Sequence, residues 1–362
     1  MKFRRARSLF FTIQKGEIYV QNFLQNKTIK VSLEELSLIT GMDEWVGEEF
    51  LLHNFIESAT ADDRYDRLTK LIICGVIVTE DSKEEQEDAE YKKRWEWGEK
   101  VGAFHFTLKH THFYPVQSEK MKALYEHITY KTEHDPSPEL YAVNKNHYSQ
   151  VYEYTPPADD EGIFKTITRR RTVRLFDEHQ PVTQQQLVNC LYAGVGIIKF
   201  REVPPMGKMP LKTTPSGGAR NPFEAYVLCR NVDGLPNGLY HYSATEHSLG
   251  LVNSGQVHTP AAILGDQLWI NEAAVVVFLV ANFERTMWKY SHPVGYKAVM
   301  LEAGHIAQNM ILAANEYGFY GSPTAAVIST RFEELMEEKN FTKACVYAIA
   351  MGHAHAEAVE LQ

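Results

Sequence analysis

Cysteine is scarce in this 362-residue chain: Cys74, Cys190, Cys229 and Cys345 are far apart, each within an apolar run. That distribution suits buried thiols in a reducing cytoplasm better than a disulfide frame or a zinc site. No charge-free apolar run reaches membrane-spanning length, and the most apolar stretch, AAVVVFLVAN at 273–282, reads as a buried strand. The basic start MKFRRARSLFF is followed by Gln14 and Lys15 and by no small-residue cleavage site, so no signal peptide is expected. There is no G-x-G-x-x-G and no P-loop, hence no indication of a Rossmann or nucleoside-triphosphate site. A net charge of −9 disfavours nucleic acid as a partner. Internal repeats and low-complexity tracts are also missing.

What is present divides into two regions, as the length suggests. Hydrophobic residues make up 44%, enough to bury a core. The first 140 residues are charged and hold little glycine. Ser32 and Glu35 form a capping box that opens a short helix ending at Gly41, and residues 62–81 read as a helix running into a β-branched strand. Short helices followed by a helix-strand unit are winged-helix-like, a fold that holds peptides as well as DNA. The acidic run EDSKEEQEDAE at 80–90 reads as a solvated loop and disfavours DNA there. Proline-bearing stretches at 133–146 and 154–162 read as linkers leading to a second domain, 141–362. In it Thr183 and Gln186 cap a helix, strands are expected at 223–231, 238–243, 273–282 and 344–352, and apolar spacing predicts a helix over 296–317. Helices and strands alternate irregularly, which favours an α+β class.

Three stretches carry chemistry. In TITRRRTVRLFDE (166–178), Arg169, Arg170, Arg171 and Arg174 stand with Thr172 in an otherwise acidic chain. Guanidinium forks and a hydroxyl suit a phosphate monoester, although a solvated basic turn or helix end would read the same way. Pro215-Ser216-Gly217-Gly218 forbids helix; it either lets backbone approach a flat ligand or simply turns the chain before a strand. On the 296–317 helix, Glu302, His305 and Asn309 fall on one polar stripe opposite the apolar face. Glu-x-x-His could ligate iron only with a second copy and further carboxylates, which are absent, and GHAHAE at 352–357 reads as a mobile tail; no metal is expected.

In their order these motifs resemble the nitroreductase-like flavoproteins, in their SagB-type dehydrogenase branch. The family's R-R-S-x-R-x-F is matched by Arg170 to Phe176, P-S-x-G by Pro215 to Gly218, and G-L-Y-H-Y by Gly238 to Tyr242. A K-Y pair ahead of G-Y-R-x-x-x-L-E-A-G-H-x-x-Q-N is matched by Lys289-Tyr290 and by Gly295 to Asn309, with Lys297 for the arginine. The resemblance spans about residues 163–352. It implies a mixed sheet flanked by helices, in an intertwined homodimer with FMN at the subunit interface. Arg170, Thr172 and Arg174 would hold the FMN phosphate, with Arg171 in the same motif. The Pro215–Gly218 turn would lie along the isoalloxazine edge, and Asn309 would face the cofactor.

Such enzymes mature ribosomally made peptides, oxidising thiazolines and oxazolines to thiazoles and oxazoles. The implied partners are a precursor peptide and a cyclodehydratase complex, with the N-terminal region touching one of them. Oxidation needs a base beside the flavin: Lys289, its charged form disfavoured by burial, with Tyr290 as its partner. Departures from the pattern are Thr172 for serine, the altered loop 318–327, and no basic residues after Gly352. Competing expectations are an NAD(P)H-dependent reductase of dehydroalanine or nitro compounds, and a non-catalytic peptide-binding scaffold.

Overall fold

A computed structural model describes residues 1–54, 61–111, 118–134, 161–204, 207–254, 259–336 and 340–360. The two expected linkers, apart from residues 133–134 and 161–162, lie outside these. The second region is organised around the strand Val275–Asn282, whose first seven residues are all buried. It pairs with Phe223–Cys229 on one side and Lys343–Gly352 on the other. The 223–229 strand pairs in turn with Gly238–Ser243, and that with Ser248–Asn253. Tyr320–Thr324 closes the other edge of this six-stranded sheet. All five pairings are antiparallel; a parallel ladder stands apart, Val182–Thr183 with Val232–Asp233.

The central strand is apolar without interruption because both faces are covered. Val275, Val277, Leu279 and Ala281 join one core cluster, and Val276, Phe278 and Val280 join another, as a period of two requires. The helices Gln184–Val195 and Val294–Glu316 pack on the first face. They approach so closely at Gly194 that a Cβ there would come within 2.4 Å of Met310 Cε. The opposite face is covered by Ser329–Met336 and by residues 173, 176, 263, 264 and 270. The expected α+β class and the four expected strands are present, and the predicted 296–317 helix runs Val294–Glu316. The expected mobile tail is instead fastened: the amide of Asp177 donates to His353 O at 2.9 Å, and that of His355 to Leu175 O at 3.0 Å. Four backbone groups satisfied this way hold residues 353–355 in place.

In the N-terminal region, Lys2–Arg5 pairs antiparallel with Val46–Gly47 and Ile77–Thr79. The helices Leu33–Gly41, Glu48–Asn54 and Ala61–Ile73 accompany this sheet. The Ser32–Glu35 capping box is present. A meander, Leu9–Gln14, Glu17–Asn22 and Lys27–Val31, was not foreseen.

The acidic run is not a loop. Lys83–Arg94 is a helix capped by Ser82, with Glu84 and Glu85 in its first turn and Lys92, Lys93 and Arg94 in its last, a distribution that suits the helix dipole. Its Asp88 is buried and accepts from Ser8 Oγ at 2.8 Å, from the amides of Arg7 and Ser8, and from Arg4 Nη1 at 3.1 Å. After it, Gly98–Lys109 lines up an aromatic cluster in which Trp95, Trp97 and His105 meet Phe283 or Tyr296 of the second region. His105 is wholly enclosed there, which holds its pKa well below the ordinary imidazole range. Among the described residues no helix is long and apolar enough to cross a membrane, and no group of three or more His, Cys, Asp or Glu is placed to hold a metal.

Candidate active site

The strand Gly207–Lys212 delivers the chain to a turn at residues 216–221, where Gly218, Ala219 and Asn221 all have left-handed φ, at 61°, 55° and 49°. Two of these are not glycine, so surrounding contacts must hold the turn. Ser216 Oγ accepts from the Asn221 amide at 2.8 Å and donates to Glu302 Oε2 at 2.7 Å. Asn221 Nδ2 donates to Ala219 O at 2.9 Å.

Glu302 is only 5% exposed. The expected polar stripe is therefore split: Glu302 faces inward, His305 is exposed, and Asn309 is half-buried. Burial raises the Glu302 pKa, opposed by hydrogen bonds from Ser216 and the Gly217 backbone and by the charge of Lys212. Asn309 Nδ2 donates to Ala193 O at 3.2 Å and Thr214 Oγ1 at 3.1 Å, so it braces the approach to the turn.

The Lys-Tyr pair meets the turn. Lys289 Nζ lies 3.5 Å from Gly218 O and 5.4 Å from the centre of the Tyr290 ring. A Cβ at Gly218 would fall 2.2 Å from the Tyr290 hydroxyl, so only glycine leaves that ring its place. Trp97 Nε1 donates to Tyr290 O at 2.8 Å, tying the pair to the N-terminal region. Both Lys289 and Tyr290 are exposed, which corrects the expectation of a buried Lys289. The withdrawn amine is Lys212, at the end of the strand leading to the turn; burial pushes its pKa down to about 8. Nothing local in the sequence marks Lys212. Its burial arises only when the hairpin of Ile197–Val203 and Gly207–Lys212 folds beside the sheet.

The arginines sit elsewhere. The helix Gly162–Arg169 ends just before them, and Arg171 Nη1 turns back to Thr168 O at 2.7 Å and Arg170 O at 2.9 Å, a helix C-terminal cap. Arg170 Nη1 reaches Thr172 Oγ1 at 3.4 Å, and the Arg174 guanidinium lies 5.8 Å from the Trp269 ring centre. None of Arg170, Arg171 and Arg174 is in an ion pair with a described residue. Exposed guanidiniums without carboxylates, beside a hydroxyl, fit a phosphate. The motif is fastened by Ser322 Oγ, which donates to Val173 O.

Thr166 at this end donates to Glu316, whereas Ser216 donates to Glu302 on the same helix. At about 1.5 Å rise per residue those anchors are roughly 20 Å apart. One chain thus brings together the Ser216–Gly218 turn, Lys289 and Tyr290, and leaves the arginine motif at the other end of the helix.

Residues 167–353, just over half of the chain, match the model of the nitroreductase family. The chain belongs to the nitroreductase family. Its members are oxidoreductases that generally bind flavin. The sequence is 30% identical over 187 residues to MJ1384 of Methanocaldococcus jannaschii, a protein named for nitroreductase activity; the match covers 51% of this chain and 89% of that one. It is 29% identical over 157 residues to the trifolitoxin-processing protein TfxB of Rhizobium leguminosarum bv. trifolii, 40% of each chain. It is 29% identical over 111 residues to the microcin B17-processing protein McbC of Escherichia coli, covering 29% of this chain and 40% of that one. The matched part is thus two-fifths of the length of these two peptide-processing relatives. A chain of the E. coli microcin synthetase McbBCD complex with truncated pro-MccB17 bound superposes with a TM-score of 0.50 at 17% identity. That match covers 73% of this chain and 97% of that one, and it shows a shared fold. The similarity to peptide-processing members agrees with the resemblance drawn from the motifs.

Proposed function

We propose that the chain is an FMN-dependent dehydrogenase of ribosomal peptide maturation that oxidises peptide thiazolines or oxazolines to thiazoles or oxazoles. The observation that carries this reading is the contact of Lys289 and Tyr290 with Gly218, which sets an amine and a phenol beside the glycine turn. The similarity to proteins named for trifolitoxin and microcin processing supports a peptide substrate. FMN, when bound, supplies the two-electron acceptor.

In this reading Arg170, Thr172 and Arg174 hold the phosphate, and the Pro215–Gly218 backbone lines the flat ring. Arg171 is bound to its own helix end and contributes charge alone. Because arginine motif and glycine turn lie at opposite ends of one helix, each site takes them from two copies of the chain, and the enzyme is a homodimer. Lys289 removes the azoline Cα proton and Tyr290 orients the amine. The withdrawal from water that Lys289 lacks in one chain comes from the second copy and the peptide. The N-terminal region, tied to Tyr290 through Trp97, contacts the precursor peptide or a cyclodehydratase.

Purified protein is expected to be yellow and to release FMN at about one per chain. Lys289→Ala is expected to keep FMN and lose azoline oxidation. A colourless protein that takes up no added FMN overturns the cofactor assignment, and unchanged oxidation in Lys289→Ala overturns the role of the lysine. A strict need for NAD(P)H would indicate the reductase instead.

A further inference from the structure

Beside the glycine turn, on the side of the 197–212 hairpin, lies a cleft of about 380 Å³. Its walls include Val195, Ile197, Met209 and Phe223, and its titratable side chains other than Tyr242 are mostly basic: Lys212, Arg220, His241 and Arg285 against Glu224. Three formal cations face one carboxylate in a chain whose net charge is −9. Most of these groups are already engaged. Arg285 is ion-paired with Glu224 and donates to Asn221 O at 3.1 Å. Arg220 Nε donates to Arg285 O at 2.6 Å, and its plane covers Trp288 at 4.5 Å, which leaves its outer nitrogens uncommitted.

Two donors remain. Lys212 makes no hydrogen bond or ion pair with a described residue. His241 Nε2 is buried without a hydrogen-bond partner, and its nearest charge is Glu224 Oε2 at 3.9 Å, beyond hydrogen-bond reach. A polar atom buried without a partner, such as His241 Nε2, is costly, and an oxyanion in the cleft would give the His241 ring and the Lys212 ammonium an acceptor.

We propose that this cleft binds an oxyanion, the carboxylate or phosphate group of a ligand other than flavin, with Lys212 and His241 as direct donors and Arg220 as flanking charge. The site holds whether or not the substrate is an azoline peptide. Lys212 faces Glu302 from the long helix, Glu224 from the 223–229 strand and Arg285 from the helix Phe283–Met287. Burial outweighs them and pushes its pKa down to about 8, so an anion that needs the ammonium binds below that pH and weakens above it.

The test is calorimetric titration of the full chain saturated with FMN, so that Arg170 and Arg174 are not read. The probes are an N-acetylated triglutamate peptide and, separately, inorganic phosphate, at pH 7.0 and 9.5. At least one probe is expected to bind at pH 7.0 and to bind about tenfold or more weakly at pH 9.5. Lys212→Gln is expected to lose that affinity at pH 7.0, and Lys212→Arg to restore it without the decline at pH 9.5. Binding of the peptide alone assigns a carboxylate ligand, and binding of phosphate alone a phosphorylated one. Failure of both probes to bind, or affinity that does not fall between the two pH values, overturns the site, and so does full affinity in Lys212→Gln. The wild-type profile decides the matter even if Lys212→Gln does not fold.

Discussion

Both regions of this protein bury apolar clusters, but they differ in what holds a central anchoring position. In the second, the Val275–Asn282 strand buries an unbroken apolar run between two hydrophobic clusters. In the first, a comparable anchoring position is held by a buried charge: Asp88 receives two amides, a hydroxyl and the Arg4 guanidinium, whose side chain is 4% exposed. Apolar burial is roughly proportional to area and tolerant of exchange. A buried ion pair is all-or-none, because removing one member leaves the other charged and unsatisfied. The N-terminal region should therefore be the more brittle of the two.

Asp88→Ala is the strongest way to test that contrast. It leaves the buried Arg4 with Glu85 as its one remaining carboxylate and takes the acceptor from the Arg7 and Ser8 amides and the Ser8 hydroxyl, and is expected to lower stability by about 3–5 kcal/mol, read from the urea midpoint. Val277→Ala, a small truncation on the central strand, is expected to lose about 1–3 kcal/mol. A loss in Asp88→Ala no larger than that in Val277→Ala would remove the distinction.

The same contrast explains which parts could be read in advance. The strands at 223–229, 238–243 and 343–352 and the long helix were visible because a two- or 3.6-residue apolar period survives any tertiary context. The helix Lys83–Arg94 was read as a loop because its polar residues show no apolar face, and its stability comes from a serine cap and from Asp88 reaching the 7–8 backbone. Lys289 and Tyr290 were found through a motif, and their approach to Gly218 is there. What the motif could not convey is solvent exposure: Lys289 is open in one chain, and the withdrawn amine is Lys212. Likewise Glu302 looked like part of a wet stripe, because a sequence does not show that a strained turn leans against it.

Within the site, adjacent glycines sharpen the comparison. Gly218→Ala puts a Cβ at 2.2 Å from the Tyr290 hydroxyl on a residue with φ of 61°, whereas at Gly217 the nearest atom to a Cβ is Ala298 Cβ at 3.7 Å, an ordinary contact. Gly218→Ala is expected to weaken FMN binding by about 30-fold, roughly 2 kcal/mol, through turn strain and displacement of Tyr290. Gly217→Ala is expected to change it less than about threefold. Equal effects in fluorescence titrations would mean that the conformation of Gly218 is not what the site uses.

Lys212 gives a smaller effect of opposite sign. Its pKa of about 8 in the folded protein lies below that of an unfolded lysine, so its burial stabilises nothing at neutral pH. Stability from this group is present in full only above the unfolded pKa and is lost as pH falls through about 8. Lys212→Met is therefore expected to raise stability at pH 7 by on the order of 1–2 kcal/mol, after allowance for partial solvation, and to lose that advantage near pH 10. A melting temperature that falls at pH 7 would show that Lys212 has a native partner for its charge.

The least effect is expected where the motif was richest. Arg171 is exposed and spends its Nη1 on Thr168 O and Arg170 O, a cap at the surface end of a short helix. Arg174 rests over Trp269 with its donors otherwise uncommitted. Arg174→Ala is expected to weaken FMN binding about tenfold by removing a charge-assisted phosphate contact. Arg171→Ala is expected to change FMN affinity less than about twofold and stability by about 0.5 kcal/mol, as for a solvent-exposed contact at the end of a short helix. If Arg171→Ala instead weakened FMN as much as Arg174→Ala did, its side chain would have to leave the helix end on binding. The cap would then describe only the flavin-free chain.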